Sequence, residues 1–146
     1  MQAIEMQQLL HQEIPITEAM GIKIQQLSQH SISILAPFDA NKNIHNTAFA
    51  GSIYTTATLA GWSLLTHFLA LNNLKGSVVM AKGEVKYLQP IHGDIVAECH
   101  ITDLPKLDTF MTMLKKRNKA RLDLEIKVVE DGAVKATLAG NFAVIA

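Results

Sequence analysis

The sequence predicts an α+β protein in which an antiparallel sheet of about five to six strands wraps round one long central helix. No Lys, Arg, Asp or Glu occurs between Thr47 and Leu71, and a helix that is apolar on nearly every face must be buried on nearly every face. Runs with alternating apolar and polar residues lie on both sides of this segment, which is the pattern of half-buried strands. No linker, repeat or low-complexity tract interrupts residues 1–146, so a single domain is expected.

The elements before the long helix follow from local patterns. Residues Ala3–Glu13 predict a short amphipathic helix that ends at Ile14-Pro15, because the residue before a proline avoids helical dihedrals. One more helical turn is expected at residues 17–20. Two alternating runs, 22–27 and 31–37, predict a hairpin. Residues 39–46 are dense in turn formers and predict an irregular loop that leads into the long helix, which is expected from about Ala48 to Leu71.

Four strand-like runs follow the long helix, at residues 77–89, 95–102, 122–130 and 134–144. Asp131-Gly132 predicts a tight hairpin turn between the last two. A short helix is expected near residues 108–114. Because one sheet covers only one side of a helix and leaves open edges, we expect at least a symmetric dimer.

The composition excludes several classes of protein. Thirteen basic residues balance thirteen acidic ones, so no overall field attracts nucleic acid or acidic lipid. The single cysteine, Cys99, lies in an alternating run and is expected in the core, where it forms no disulfide. Six scattered histidines have no metal-ligand spacing, so no metal is predicted.

The sequence bears on both secretion and membrane insertion. The amino terminus lacks the basic start and apolar run of a secretory signal, so a cytoplasmic location is expected. The uncharged segment is long enough to span a membrane. Repeated Ser and Thr residues within it favour a buried core helix instead, and no membrane insertion is expected.

The sequence around the start of the long helix resembles a known family. His45-Asn46-Thr47-Ala48-Phe49-Ala50-Gly51-Ser52, followed by Leu59-Ala60-Gly61-Trp62, is similar to hotdog-fold thioesterases and most closely to the YiiD carboxy-terminal-domain family. The resemblance covers most of the chain. It implies a hotdog fold and acyl thioesters of coenzyme A or acyl carrier protein as ligands, with no cofactor beyond the coenzyme A or phosphopantetheine of the substrate. It also implies sites between the protomers of a homodimer or a dimer of dimers.

Four residues are candidates for catalysis. The N–H of Gly51, at the positive end of the helix dipole, would stabilise the oxyanion that forms on a thioester carbonyl. Asn46 would orient the attacking water or the carbonyl, or would cap the helix. His45 could act as a base because histidine titrates near neutral pH, although histidines on loops often have no catalytic role.

The fourth candidate, Thr58, marks a departure from the family pattern. Many hotdog thioesterases carry His-Gly-Gly at the helix start and an acid about two turns later. This chain has Phe49-Ala50-Gly51 at the first place. The second place falls near Thr58, and the helix contains no Asp or Glu. Thr55 and Thr58 would either hold a water or bond back to carbonyls of their own helix. The nearest carboxylates are Asp39 and Glu84, and the alternation of Glu84 with two lysines favours a solvated charge ladder.

The expected substrate contacts lie in two places. At the helix start they are Phe49, Ala50, Ser52, Tyr54 and Thr55. Lys116 and Arg117 belong to a basic run that would bind coenzyme A phosphates or an acidic carrier, or would form a solvated helix end. The function predicted is hydrolysis of acyl-CoA or acyl-carrier-protein thioesters. The alternatives are a non-hydrolytic acyl-thioester or acyl-carrier binding module and, third, a dehydratase.

Overall fold

The computed structural model describes residues 1–146 and contains five helices and six strands. In chain order they are α1 (Ala3–Glu13), α2 (Ile16–Ala19), β1 (Lys23–Leu27), β2 (Ser31–Ala36), α3 (Phe38–Asn41), α4 (Ala50–Leu71), β3 (Ser77–Tyr87), β4 (Ile95–His100), α5 (Leu104–Arg117), β5 (Lys119–Glu130) and β6 (Ala133–Ile145).

The six strands form one antiparallel sheet in the order β1-β2-β4-β5-β6-β3. Strands β5 and β6 form the predicted hairpin. Its turn residues Asp131 and Gly132 both have positive φ, of 52° and 77°, as the favoured two-residue hairpin turn requires. The sheet therefore has two edges, β1 and β3.

Helix α4 lies in the concave face of the sheet and contacts β2, β4, β5, β6 and β3. It packs tightly on the sheet at Gly61, where a Cβ would lie 2.5 Å from Cζ of Phe142 on β6. The absence of a side chain at Gly61 lets the Phe142 ring pack against the helix backbone. This packing buries α4 as its uncharged sequence predicted.

Three expectations about the elements need correction. Residues 39–41 of the predicted loop 39–46, together with Phe38, form the short helix α3. Helix α5 is longer than expected because Asp103 accepts a hydrogen bond from the Lys106 N–H, and Pro105 lies in the first turn, where no N–H is needed. Helix α4 begins at Ala50, with Phe49 as its N-cap, rather than near Ala48.

The two sheet edges differ. On the β1 edge, the Ile24 N–H donates to Oε1 of Gln7 on α1 at 3.0 Å, and Nε2 of His11 lies 2.9 Å from the Ile22 carbonyl. On the β3 edge, the only bond that a backbone group makes to a partner outside β6 is the one that the Val78 carbonyl accepts from Nε1 of Trp62. The β3 edge is therefore the open one. No helix has the length and apolar character required to cross a membrane.

Candidate active site

The amino end of α4 presents unpaired hydrogen-bond donors. The helix starts with a bond from the Ile53 N–H to the Phe49 carbonyl, and Phe49 offers no side-chain cap. The N–H groups of Ala50, Gly51 and Ser52 consequently have no acceptor, as expected for the first turn of a helix. These donors and the helix dipole make this end attractive to a carbonyl oxygen that becomes negative.

Two bonds fix this helix end to the rest of the fold. The Phe49 N–H donates to the Asn41 carbonyl at 2.7 Å. The Tyr87 hydroxyl, at the end of β3, donates to the Ala50 carbonyl at 2.9 Å. Burial, and then the neighbouring Tyr54, raise the pKa of Tyr87, so this hydroxyl keeps its proton. The donors are thus held in place by α3 on one side and by β3 on the other.

A cavity of about 300 Å³ lies beside these donors. Its polar lining comes from Asn41, Gly51, Ser52 and Thr55, and the rest is apolar and comes from Ile16, Ala19, Met20, Ala40 and Phe49. No titratable side chain lines it. The cavity can therefore hold a largely apolar ligand with one polar group directed at the helix end.

Asn41 is the buried polar residue of this cavity, with 2% of its surface exposed. Its Nδ2 donates to the Met20 carbonyl at 2.8 Å and to the Pro37 carbonyl at 2.7 Å. Its Oδ1 has no partner. Because a flipped amide would set Oδ1 against two carbonyl oxygens, the hydrogen bonds fix which atom is which. No sequence pattern distinguishes Asn41 as a site residue.

Asn46 and His45 lie on the loop that follows α3, and both are exposed. Asn43 orders this loop, since its Oδ1 accepts from the His45 N–H at 2.9 Å and from the Thr47 N–H at 3.1 Å. Asn46 adopts a left-handed conformation with φ of 61° and makes no side-chain bond. The suggestion that Asn46 caps α4 is wrong, because the N-cap is Phe49.

The threonine hydroxyls bond within their own helix. Thr55 donates to the Gly51 carbonyl at 2.8 Å, and Thr58 donates to the Tyr54 carbonyl at 2.9 Å. Of the two, only Thr55 lines the cavity. The Tyr54 hydroxyl lies against Gly83 on β3 and outside the cavity wall. Of the two alternatives for these threonines, bonding to helix carbonyls is the one observed.

The candidate carboxylates lie elsewhere. Asp39 is exposed on α3. Glu84 and Lys86 line a cavity of about 520 Å³ on the outer, charged face of the sheet, together with Glu125 of β5. Glu84 is therefore part of a surface charge ladder, as its alternation with lysines predicted.

Lys116 and Arg117 are far from Gly51 within one chain. They lie in the last turn of α5, where Arg117, Lys119 and Arg121 line a cavity of about 340 Å³. Lys119 is in register with Ile145, which pairs with Ser77 at the start of β3. The donors of α4 lie at the other end of β3, and a strand of 11 residues is roughly 35 Å long. One chain does not bring the predicted phosphate contacts to the predicted oxyanion donor.

An antiparallel sheet wrapped round one long helix, with a cavity at the amino end of that helix, places the protein in the hotdog-fold class. The family model described as "Putative thioesterase (yiiD_Cterm)" matches residues 3–146. The chain therefore belongs to the YiiD carboxy-terminal-domain family, as the residues around Gly51 indicated.

Solved structures agree with this assignment. A "putative thioesterase" from Shewanella oneidensis is 30% identical with a TM-score of 0.90, over 99% of this chain and 97% of its own. A protein of unknown function from Chlorobaculum tepidum TLS is 27% identical with a TM-score of 0.93, over 98% and 93% of the two chains. A "probable thioesterase" from Pseudomonas aeruginosa, 20% identical with a TM-score of 0.86 over 99% and 96%, shares the fold.

Proposed function

We propose that the protein hydrolyses acyl thioesters in the cavity at the amino end of α4. The observation that supports this is the set of three unpaired N–H groups, of Ala50, Gly51 and Ser52, beside a mainly apolar cavity. In the reaction a water oxygen bonds to the carbonyl carbon, the C–S bond breaks, and the proton released by the water ends on the thiolate or in solvent. Between these two steps, the N–H groups stabilise the negative charge on the carbonyl oxygen.

The remaining predicted contacts are assigned by where they lie. Phe49, Ser52 and Thr55 line the cavity and would contact the acyl group or the start of the thiol arm. His45 and Asn46, exposed on the preceding loop, would contact a bound thioester from its solvent side. Tyr54 and Thr58 would act only through a neighbouring residue or from a surface shared with a second copy.

We further propose that a second copy completes the site. A two-fold axis that joins two β3 edges makes the strands antiparallel, which sets the Ser77 end of one copy beside the Tyr87 end of the other. The basic cavity around Arg117 of the second copy then approaches the α4 donors of the first. This arrangement supports a role for Lys116 and Arg117 in binding coenzyme A phosphates across the dimer.

Hydrolysis is tested by offering the purified protein short, medium and long acyl-CoAs and following free thiol with time. We expect release well above the uncatalysed rate for at least one chain length. A carrier-linked substrate run in parallel distinguishes coenzyme A from acyl carrier protein. No release from any substrate would refute the proposal.

The shared site has its own test. Sedimentation should show a dimer or a dimer of dimers, and a fully active monomer would contradict the arrangement. Arg117→Ala should raise KM for an acyl-CoA and leave KM unchanged for the same acyl group on pantetheine, which has no nucleotide phosphates. Equal effects on both substrates would remove the phosphate role.

The second candidate is a module that binds acyl thioesters without hydrolysis. It is favoured by one observation, that no Asp, Glu or His lines the cavity, so no side chain there can take a proton from water. Stoichiometric acyl-CoA binding without thiol release would establish this alternative. Because no Asp, Glu or His lines the cavity, a dehydratase would also lack its acid and base. The cytoplasmic location stays a prediction.

A further inference from the structure

We propose that the acyl chain of the substrate lies between α2, α3 and the start of α4, in a subsite for uncharged chains of up to about eight carbons. The inference rests on the proposed hydrolysis and names the class of acyl group that the site accepts. The cavity joins Gly51, whose N–H would hold the thioester carbonyl, to apolar side chains of α2 and α3. An acyl chain attached to that carbonyl can therefore enter the cavity directly.

The polar and apolar groups of the cavity wall lie on different elements. The unpaired N–H groups all belong to the first turn of α4. The opposite wall consists of apolar side chains from α2, its C-cap residue and α3, namely Ile16, Ala19, Met20 and Ala40. The α4 side thus suits the carbonyl, and the α2 and α3 side suits the alkyl chain.

Asn41 holds the apolar wall together. Its Nδ2 donates to the carbonyl of Met20, the C-cap of α2, and to the carbonyl of Pro37, the N-cap of α3. Because both amide protons are used in these bonds, the asparagine links the two short helices to each other. The acyl chain therefore meets a wall that is already formed and that it does not have to order.

The wall lies on the β1 side of α4. Helix α2 packs against α1, which covers the β1 edge through Gln7 and His11. On the other side of α4, the Tyr54 hydroxyl lies against Gly83 of the open strand β3. The acyl side of the site is therefore formed within one chain, while the thiol arm can run towards β3 and a second copy.

The volume of the cavity limits the length of the chain. One molecule occupies about 30 Å³ in liquid water, and a chain carbon occupies a similar volume. The cavity of about 300 Å³ therefore holds about ten non-hydrogen atoms. Since the thioester oxygen and sulfur are among them, about eight places are left for carbon.

The cavity wall also disfavours charged acyl groups. No Lys, Arg or His lines it. The terminal carboxylate of a dicarboxylic acyl group would lose its water there without gaining an ion pair, which is unfavourable. The expected substrates are therefore plain alkanoyl thioesters and not their carboxylated analogues.

The first test follows thiol release by the wild-type protein from acetyl-, butanoyl-, hexanoyl-, octanoyl-, dodecanoyl- and hexadecanoyl-CoA. We expect kcat/KM to rise as far as octanoyl-CoA, by up to about fourfold for each methylene that leaves water, and not to rise further. Glutaryl-CoA should be at least about tenfold poorer than pentanoyl-CoA, which has the same number of carbons. A maximum at acetyl-CoA or at dodecanoyl-CoA or longer, or equal use of glutaryl- and pentanoyl-CoA, would overturn the proposal.

The second test compares Ile16→Ala with Ile4→Ala as its matched control. Ile16 and Ile4 are each near a helix start and are 59% and 57% exposed, but only Ile16 lines the cavity. We expect Ile16→Ala to lower the ratio of kcat/KM for octanoyl-CoA to that for acetyl-CoA about fourfold, the effect of about one buried methylene. Ile4→Ala should keep the wild-type ratio.

The ratio does not depend on the folded fraction, because both substrates are measured on the same sample. An equal loss for octanoyl- and acetyl-CoA in Ile16→Ala would place the thiol arm, and not the acyl chain, against α2. That result, or a ratio equal to that of wild type, would overturn the proposal.

The third test shortens the subsite with Ala19→Leu. The added isopropyl group would fill about 90 Å³ of the cavity at about 30 Å³ per carbon, so the best chain should become about three carbons shorter. Ala70→Leu makes the same change at an exposed position in the last turn of α4 and should leave the chain-length profile unchanged. Ala19 is itself exposed, so its replacement should not prevent folding. A maximum at the wild-type chain length in Ala19→Leu would contradict the subsite.

The failure of this inference can be told from the failure of the proposed function. If the wild-type protein releases thiol from acyl-CoAs but shows no limit near octanoyl, the acyl subsite alone is refuted. If it releases thiol from none of them, the proposed hydrolysis fails and this inference fails with it.

Discussion

The ring of Phe49 lies against the backbone of Gly51, so closely that a Cβ on Gly51 would be 2.5 Å from Cε2 of the ring. Phe49 is 53% exposed and is the N-cap residue of the helix end that carries the unpaired donors. The same 2.5 Å separates a Cβ on Gly61 from Cζ of Phe142, but Phe142 is completely buried. The two glycines therefore form a matched pair that differs in whether the neighbouring ring is free to move.

Gly51→Ala is expected to keep or slightly raise stability and to impair hydrolysis. The exposed Phe49 ring has room to swing aside, and alanine in a helix gains up to about 1 kcal/mol over glycine. The displaced ring and new methyl group crowd the carbonyl position, so kcat/KM should fall about tenfold to a hundredfold. Thermal denaturation and thiol release measure the two effects, and an unchanged kcat/KM would show that a carbonyl does not approach Gly51.

Gly61→Ala is expected to lower the stability of the fold. Overpacking against a buried ring costs about 1–3 kcal/mol, which should appear as a lower midpoint in urea with an unchanged m-value. A stability equal to that of wild type would mean that the Phe142 ring can move away from position 61.

Asn46→Gly tests the loop asparagine without disturbing its backbone. Glycine adopts the left-handed conformation of Asn46 at no steric cost, and the side chain makes no bond and caps no helix. The free energy of unfolding should change by less than about 0.5 kcal/mol. We expect kcat for thiol release to fall, because this side chain would no longer contact a bound thioester, and an unchanged kcat would remove Asn46 from the site.

His67 should make the fold less stable in mild acid. It lies on α4 with 4% of its surface exposed, and burial, followed by the charge of the amino terminus, lowers its pKa. The unfolded chain, in which histidine has a pKa of about 6.5, takes up this proton more readily than the folded one. The free energy of unfolding should therefore fall as the pH drops below about 6.5, until the folded pKa is reached.

Urea titrations across that range, with wild type, His67→Gln and the exposed-site control His92→Gln, measure the His67 contribution. The slope should flatten in His67→Gln and persist in His92→Gln. The same slope in all three proteins would mean that His67 does not couple to folding.

Cys99 should be unreactive in the folded protein. It is fully buried, and burial raises its pKa to about 12, so almost no thiolate exists near pH 8. Iodoacetamide should label it only after unfolding, as seen by mass spectrometry with and without urea. Rapid labelling of the native protein would contradict this. An unreactive Cys99 also adds no signal of its own to thiol-release assays.

Local signals predicted the fold well and the site only in part. The pair Ile14-Pro15 ends α1 at the expected residue because it acts through steric contacts between neighbours. The length of α5 was underestimated because Pro105 looks like a helix breaker until its place in the first turn is known. Gly51 could be placed at a helix start from the pattern alone.

The other site residues depend on contacts between distant segments. The sequence singled out Asn46 and not Asn41, and only the bonds to the Met20 and Pro37 carbonyls make Asn41 the buried asparagine. Likewise, nothing in the order of residues shows that Lys116 and Gly51 lie at opposite ends of β3.

The bond from Trp62 to the Val78 carbonyl gives the open sheet edge an optical label of its own. Trp62 is the only tryptophan, and it is partly exposed beside β3. Its fluorescence consequently reports on one strand without interference from elsewhere in the chain. Dilution of the unlabelled protein, followed by emission wavelength, would register the moment when β3 gains or loses a neighbour.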